Sequence, residues 1–305
     1  MRVAVLSGGV GGARFLRGVL AAVPPESVSI VGNVGDDLQV LGLHVSPDLD
    51  SILYTLAGLG DEERGWGRAD ETWNALETVA TFGGEAWFRL GDRDLGLHLV
   101  RTELLRSGHP LSEVTARLAR AAGLRAKLLP ATDDPLRTFL ETPAGTFAFQ
   151  TWFVERRHED EVDAVHYAGA PEATPAPGVL DALAVADTIL IAPSNPYVSI
   201  GPILAVEPIR AALARRRVPC VAVSPLVGGR AVKGPADRML ARLAGGTTPA
   251  HVAACYDGLI DVLVVDDSDA RSELPAGVRC VSTPTLMTDL EVSRRLVETA
   301  LGATV

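Results

Sequence analysis

Lysine is almost missing from this chain. Among its 28 basic residues only Lys127 and Lys233 are not arginine. That skew reads as a product of base composition rather than of function. A formal net charge of −10 argues against duplex DNA or an anionic membrane as a partner. Cysteine is scarce too: Cys220, Cys255 and Cys280 are too scattered for a disulfide framework or a zinc site. Cys220 and Cys280 sit in apolar, strand-like runs and read as core residues. No apolar run reaches the ~18 residues of a membrane span. Met1–Leu6 runs as a strand straight into glycine, unlike a signal peptide. The expectation is a cytoplasmic protein with neither nucleic acid nor membrane as partner.

What is present fits a large globular α/β chain: 305 residues, 47% hydrophobic and 22% charged. Apolar strand-like runs occur at Val3–Leu6, Val28–Val31, Lys127–Pro130, Thr188–Ala192, Val218–Val223 and Asp261–Val265. Helical patterns at Ala13–Ala22, Leu180–Ala186, Val206–Arg217 and Asp289–Leu301 alternate with them. Arg137–Thr142 and Thr146–Phe149 alternate around a Pro143-Ala144-Gly145 turn, and Val162–Ala168 is another strand. Such alternation predicts a Rossmann-like, mostly parallel sheet with helices on both faces, in a single domain spanning 1–305. Residues 61–123 differ. They are helix-rich and tryptophan-bearing, and read as a smaller insertion or cap.

Two tracts end strands of this predicted sheet. Ser7-Gly8-Gly9-Val10-Gly11-Gly12 follows the first strand, where backbone N–H groups and the next helix suit a phosphate. It lacks the Gly-Lys-Ser/Thr ending of a P-loop and a clean Gly-x-Gly-x-x-Gly, and a tight turn without a ligand is the alternative. Pro193-Ser194-Asn195-Pro196-Tyr197-Val198-Ser199-Ile200-Gly201-Pro202 follows the strand at Thr188; its prolines are expected to turn the chain and bar helix. Ligands sit outside the carboxyl ends of strands in open α/β sheets. Gly8, Gly9, Gly11, Gly12, Ser194, Asn195 and Ser199 are therefore candidate diphosphate contacts. Gly234, ahead of Pro235 and beside Lys233, joins them as a nucleotide contact where a base or ribose fits, although Pro235 is equally good plain structure at a helix start.

An acidic cluster comes next. Asp36, Asp48 and Asp50 lie at or after the end of the second strand. If extended, Asp48 and Asp50 point to one side, as a Mg²⁺ pair or with one carboxylate accepting a hydroxyl proton. Asp50 capping a helix, or Asp36 serving a turn, is the competing reading. In Trp87-Phe88-Arg89-Leu90-Gly91-Asp92-Arg93-Asp94, Trp87 is placed to stack on a planar ring and Arg89 to meet a carbonyl or phosphate. Packing of Trp87 on the core, and a surface ion-pair network at Arg93, compete with this. His98 and His251 read as helix-surface or packing residues, and no histidine grouping points to zinc.

Taken in order, these tracts resemble a known family. The Ser-Gly-Gly-Val-Gly-Gly start, Pro47-Asp48-Leu49-Asp50, Leu90-Gly91-Asp92-Arg93-Asp94, Ser194-Asn195-Pro196 with Ser199-Ile200-Gly201-Pro202, Gly234-Pro235-Ala236 and Leu286-Met287-Thr288 resemble the CofD/FbiA family over essentially the whole chain. These are the 2-phospho-L-lactate transferases of coenzyme F-420 biosynthesis. The resemblance implies transfer of a phospho-acid from a guanosine-diphosphate-linked three-carbon acid to the ribityl hydroxyl of the deazaflavin Fo. It further implies GMP release, Mg²⁺ and a homodimer. Matched by motif, Asp50 and Arg89 would contact Fo, although the Arg89 position is not basic in every member. Asp50→Ala is expected to cut turnover far more than stability. The arginine-rich composition and Trp66, Trp73 and Trp87 look more like bacterial members, which favours the phosphoenolpyruvate-derived donor over the lactyl one.

Two other classes compete. A dinucleotide oxidoreductase requires an acidic residue ending the second strand, where Asn33 stands. A non-enzymatic nucleotide-binding regulator requires no reactive set like Asp48, Asp50 and Arg89.

Overall fold

In the computed structural model, which describes residues 1–304, seven strands form one parallel sheet. They are β1 (Val3–Ser7), β2 (Val28–Gly32), β3 (Lys127–Pro130), β4 (Thr188–Ile191), β5 (Cys220–Val223), β6 (Val262–Val265) and β7 (Arg279–Ser282). Their spatial order is β3-β2-β1-β4-β5-β6-β7. That is the Rossmann order extended by one strand. β1, β4, β5 and β6 are buried at every residue, as a sheet covered on both faces requires.

The helices that cover it include α1 (Gly9–Ala22), α2 (Pro47–Leu56), α3 (Asp92–Arg106), α4 (Leu111–Ala121) and α5 (Leu290–Gly302). α1 packs between α2 and α5. Segment 61–123 contributes Asn74–Thr81, α3 and α4, and α4 packs on β3 with Leu111 and Ala119 in the main core. A separate antiparallel sheet joins Gly145–Ala148, Arg137–Thr142 and Ala164–Ala168. Trp152 is fully buried beside it with Leu140 and Val162. Among the described residues no single helix is long and apolar enough to cross a membrane.

Strand order reverses at β1, which lies between β2 and β4. Leu6 is in register with both Val31 and Ile191, so the three strands end level. The segments leaving β1 and β4 therefore emerge side by side, at the switch point where this architecture leaves a crevice.

Three expectations change here. The prolines of the β4 tract do not bar helix. Pro196 and Pro202 each open a helical turn, Pro196–Ile200 and Gly201–Ala205, where the missing N–H has no intrahelical acceptor anyway. Cys280 is exposed on the edge strand β7, whereas Cys220 is buried as expected. The helix after β1 begins at Gly9, so most of the glycine tract is its first turn rather than a loop ahead of it.

Candidate active site

The two switch-point segments are latched together. Ser194 Oγ donates to the Gly8 carbonyl at 2.7 Å and accepts from the Gly8 N–H at 3.4 Å. Asn195 accepts from the Tyr197 and Val198 N–H groups at 2.9 and 3.4 Å, capping the turn behind it. Above this junction opens a cavity of about 820 Å³. Gly8, Gly9 and Gly11 line it with Ser194, Asn195, Ser199 and Gly234. Gly12 does not: it faces Ser7 and Ser194 inside the junction. The Ser194 and Asn195 side chains hold the scaffold together, and both residues line the cavity.

The acidic residues separate into two groups, because Asp48 and Asp50 stand in the first turn of α2 and not on an extended segment. Residues two apart on a helix do not share a face. Asp48 turns toward the glycine tract and Asp36. Asn33, just after β2, donates through Nδ2 to Asp36 Oδ1 at 3.1 Å and Asp48 Oδ2 at 2.9 Å, and to the Val198 carbonyl at 3.2 Å. Gln150 Nε2 donates to the other Asp36 oxygen at 3.1 Å. Gly8 is required here: a Cβ at this position would run into Asp48 Oδ2.

Burial raises the Asp48 pKa to about 6, against the hydrogen bonds from Asn33 and the Gly9 N–H. Burial raises Asp36 well above the usual carboxylate range, with the charges of Asp48 and Asp37 adding to it. Two buried carboxylates held by amides and no cation form a site short of positive charge. Such a pair suits Mg²⁺, which takes one or two carboxylates together with waters and phosphate oxygens. Among the described residues no three acidic, histidine or cysteine side chains converge on one metal position, so Asp50 does not join the pair.

Asp50 instead faces Arg101 of α3. Arg101 Nη1 donates to Asp50 Oδ2 at 2.9 Å and Nη2 donates to Oδ1. Both side chains are buried, at 2% and 7% exposure. Arg101 Nη1 also lies 3.1 Å from His98 Nδ1, and His98 Nε2 lies 3.2 Å from Asp94 Oδ1. Tyr54 donates its hydroxyl proton to Asp94. Burial would lower the Arg101 pKa, but the Asp50 carboxylate outweighs it and holds the guanidinium charged. Burial pushes Asp94 up; the His98 and Tyr54 bonds reverse that and leave it lowered. Burial and the Asp50 and Asp94 charges raise the Tyr54 phenol, so it stays a donor. Asp50, Tyr54, Asp94 and His98 reach the cavity wall, whereas Arg101 lies behind it. The capping reading of Asp50 is partly realised as well, since Oδ2 accepts from the Ser46 N–H at 3.3 Å.

His98 is thus a buried member of this network and not a helix-surface residue. Sequence reasoning also missed Arg101. Its signal was present: Asp94, His98 and Arg101 fall at i, i+4 and i+7, one polar stripe on one helix.

Part of the cavity lining is aromatic. Trp66, Trp87 and Phe88 belong to it, with Trp87 and Phe88 edge to face at 5.5 Å. Arg89 lines the cavity and lies over the Trp73 ring at 4.4 Å. Phe149 and Phe153 form a second aromatic patch, stacked at 5.3 Å. One cavity therefore joins a glycine-rich rim, a buried acidic pair, a fixed carboxylate and aromatic side chains.

Fold and cavity together define a Rossmann-type protein with a large cavity at its switch point. Residues 3–299 match the model of the family described as 2-phospho-L-lactate transferase CofD, and the chain belongs to that family. It is a transferase. A Streptomyces griseus protein named phosphoenolpyruvate transferase is 46% identical over 99% of this chain and 98% of its own length. A Mycobacterium tuberculosis protein of the same name is 42% identical, covering 97% of each. The crystal structure of a UPF0052 family protein, BH3568 from Bacillus halodurans, has a TM-score of 0.63. It is 19% identical, covers 98% of this chain and 99% of that one, and so speaks for the fold alone.

Proposed function

We propose that this transferase moves a phosphoenolpyruvyl group from a guanosine-diphosphate-linked donor to the ribityl hydroxyl of the deazaflavin Fo, releasing GMP in coenzyme F-420 biosynthesis. The observation that carries this reading is the single cavity in which Asp50 and Arg89, the residues matched to the family's Fo contacts, meet the glycine rim. The bacterial relatives' shared name favours the enolpyruvyl over the lactyl donor.

The chemistry needs alignment, neutralised oxygens and a proton route. The hydroxyl oxygen of Fo bonds to the phosphorus that carries the enolpyruvyl group. The bond from that phosphorus to the bridging oxygen breaks, and GMP leaves with the electron pair. N–H groups of the α1 N-terminus face the diphosphate oxygens. Asp50, held rigid by Arg101, accepts the hydrogen bond of the attacking hydroxyl and receives its proton as the new bond forms. Asp36 and Asp48 would hold Mg²⁺, which when bound supplies charge neutralisation at the phosphate oxygens. Trp87 stacks on the deazaflavin ring and Arg89 meets its polar edge.

The test is GMP release by purified protein with Mg²⁺ and the enolpyruvyl donor, with and without Fo. Fo-dependent GMP is expected. GMP released at equal rates without Fo makes the protein a hydrolase and sinks the reading.

A further inference from the structure

Arg14 and Lys233 lie far apart in the chain and meet at the cavity rim. A Cβ built on Gly65 would lie 2.5 Å from Lys233 Nζ and 3.6 Å from Arg14 Nη2. The two cationic nitrogens therefore stand within about 6 Å of each other, close enough for like charges to repel. The neighbouring Arg17 and Arg64 are paired to Glu62 and Asp61. Arg14 and Lys233 have no ion-pair or hydrogen-bond partner among the described residues. What sets this pair apart is that the two cations adjoin each other and both line the cavity. Adjacent cations at a cavity rim favour an anion there.

The surroundings say which anion. Arg14 is on α1, whose first-turn glycines line the same rim, and Lys233 precedes Gly234. Gly65 adjoins the pair. It has φ +74° and sits in a turn closed by its own N–H to the Asp61 carbonyl at 2.8 Å. A side chain there would displace Lys233. A forked guanidinium and a point-charge ammonium, offered from two sides, suit neighbouring phosphoryl groups.

We infer that Arg14 and Lys233 form a two-sided clamp for the donor's diphosphate, beside the Gly65 turn. The inference rests on the proposed transferase reading for the identity of the donor, but not for the presence of the anion site. The clamp also offsets the repulsion that Asp36 and Asp48 exert on an incoming diphosphate.

Titration calorimetry tests it on the full chain with GDP and with inorganic pyrophosphate as probes. Arg14→Gln and Lys233→Gln are each expected to weaken both probes about tenfold, and the double variant about a hundredfold. Lys233→Arg is expected to recover most of the loss, and Fo affinity to stay unchanged in every variant. A double variant that binds GDP within twofold of wild type overturns the clamp, even if the enzyme turns over normally. Wild-type protein that needs both residues for GDP yet makes no product from Fo and either donor supports the clamp and removes the transferase reading.

Discussion

Arg101 sets its two terminal nitrogens on the two carboxylate oxygens of Asp50, with both side chains buried. The pair joins α2 to α3 and points Asp50 at the cavity. With Asp50 in its proposed role, turnover and stability meet at one residue, so the expected loss of turnover in Asp50→Ala comes with a loss of stability. Removing one partner of a buried pair leaves the other charge uncompensated and costs ~3–5 kcal/mol. Asp50→Ala is expected to lose that much in urea unfolding as well as its turnover. Adding Arg101→Met should recover most of the stability and none of the activity. Full stability in Asp50→Ala alone would show that the pair does not bear on folding.

Asp48 should make the metal-free protein less stable as pH rises. Its pKa is 3.8 when unexposed to the fold's effects and about 6 in the folded protein. Folded protein thus holds a proton that unfolded chain has lost. The contribution is fully present below pH 3.8 and is lost as pH climbs through about 6. Asp48→Asn removes this dependence. Relative to wild type it should gain on the order of 2–3 kcal/mol between pH 4 and 7. Denaturant midpoints at the two pH values measure the difference, and parallel curves for both proteins would contradict it.

Asp36 and Asp48 are the proposed Mg²⁺ pair, so their neutral variants should raise the Mg²⁺ needed for half-maximal rate by at least ~10-fold. Asp50→Asn should lower the maximal rate without moving that Mg²⁺ midpoint. Magnesium titrations of initial rate separate the two groups. A shift in the midpoint for Asp50→Asn would return it to the metal site.

Trp87→Ala should raise the Fo KM by about 5- to 100-fold, the loss of one ring–ring stack, and leave the donor KM unchanged. Steady-state kinetics with each substrate varied in turn reads this out. A donor-side effect would move the guanine, not the deazaflavin, onto this wall.

Most of the scaffold was legible because buried parallel strands are short apolar runs between glycine and proline punctuation. Six of the seven sheet strands stand out in this way. Around Cys280 only a strand-like run was legible, and its reading as core failed because β7 is the edge strand and leaves Arg279 and Cys280 exposed. The glycine and Ser194 tracts were legible as two walls of one site, since both end buried strands. The local shape of the acidic tract was missed. Ser46, Pro47 and Asp48 carry a helix-start signal that an extended reading of Asp48 and Asp50 passes over, and the helix sends the two carboxylates apart. The Asp50–Arg101 pair spans 51 residues, and a single sequence carries no sign of which distant arginine meets which carboxylate.

Purified protein, Mg²⁺ and Fo, incubated separately with the enolpyruvyl and the lactyl guanosine-diphosphate donors, gives the decisive reading by mass spectrometry. The account predicts an Fo adduct carrying the phosphoenolpyruvyl group, with one GMP per adduct. Adduct from neither donor, in protein that still binds GDP, would contradict it.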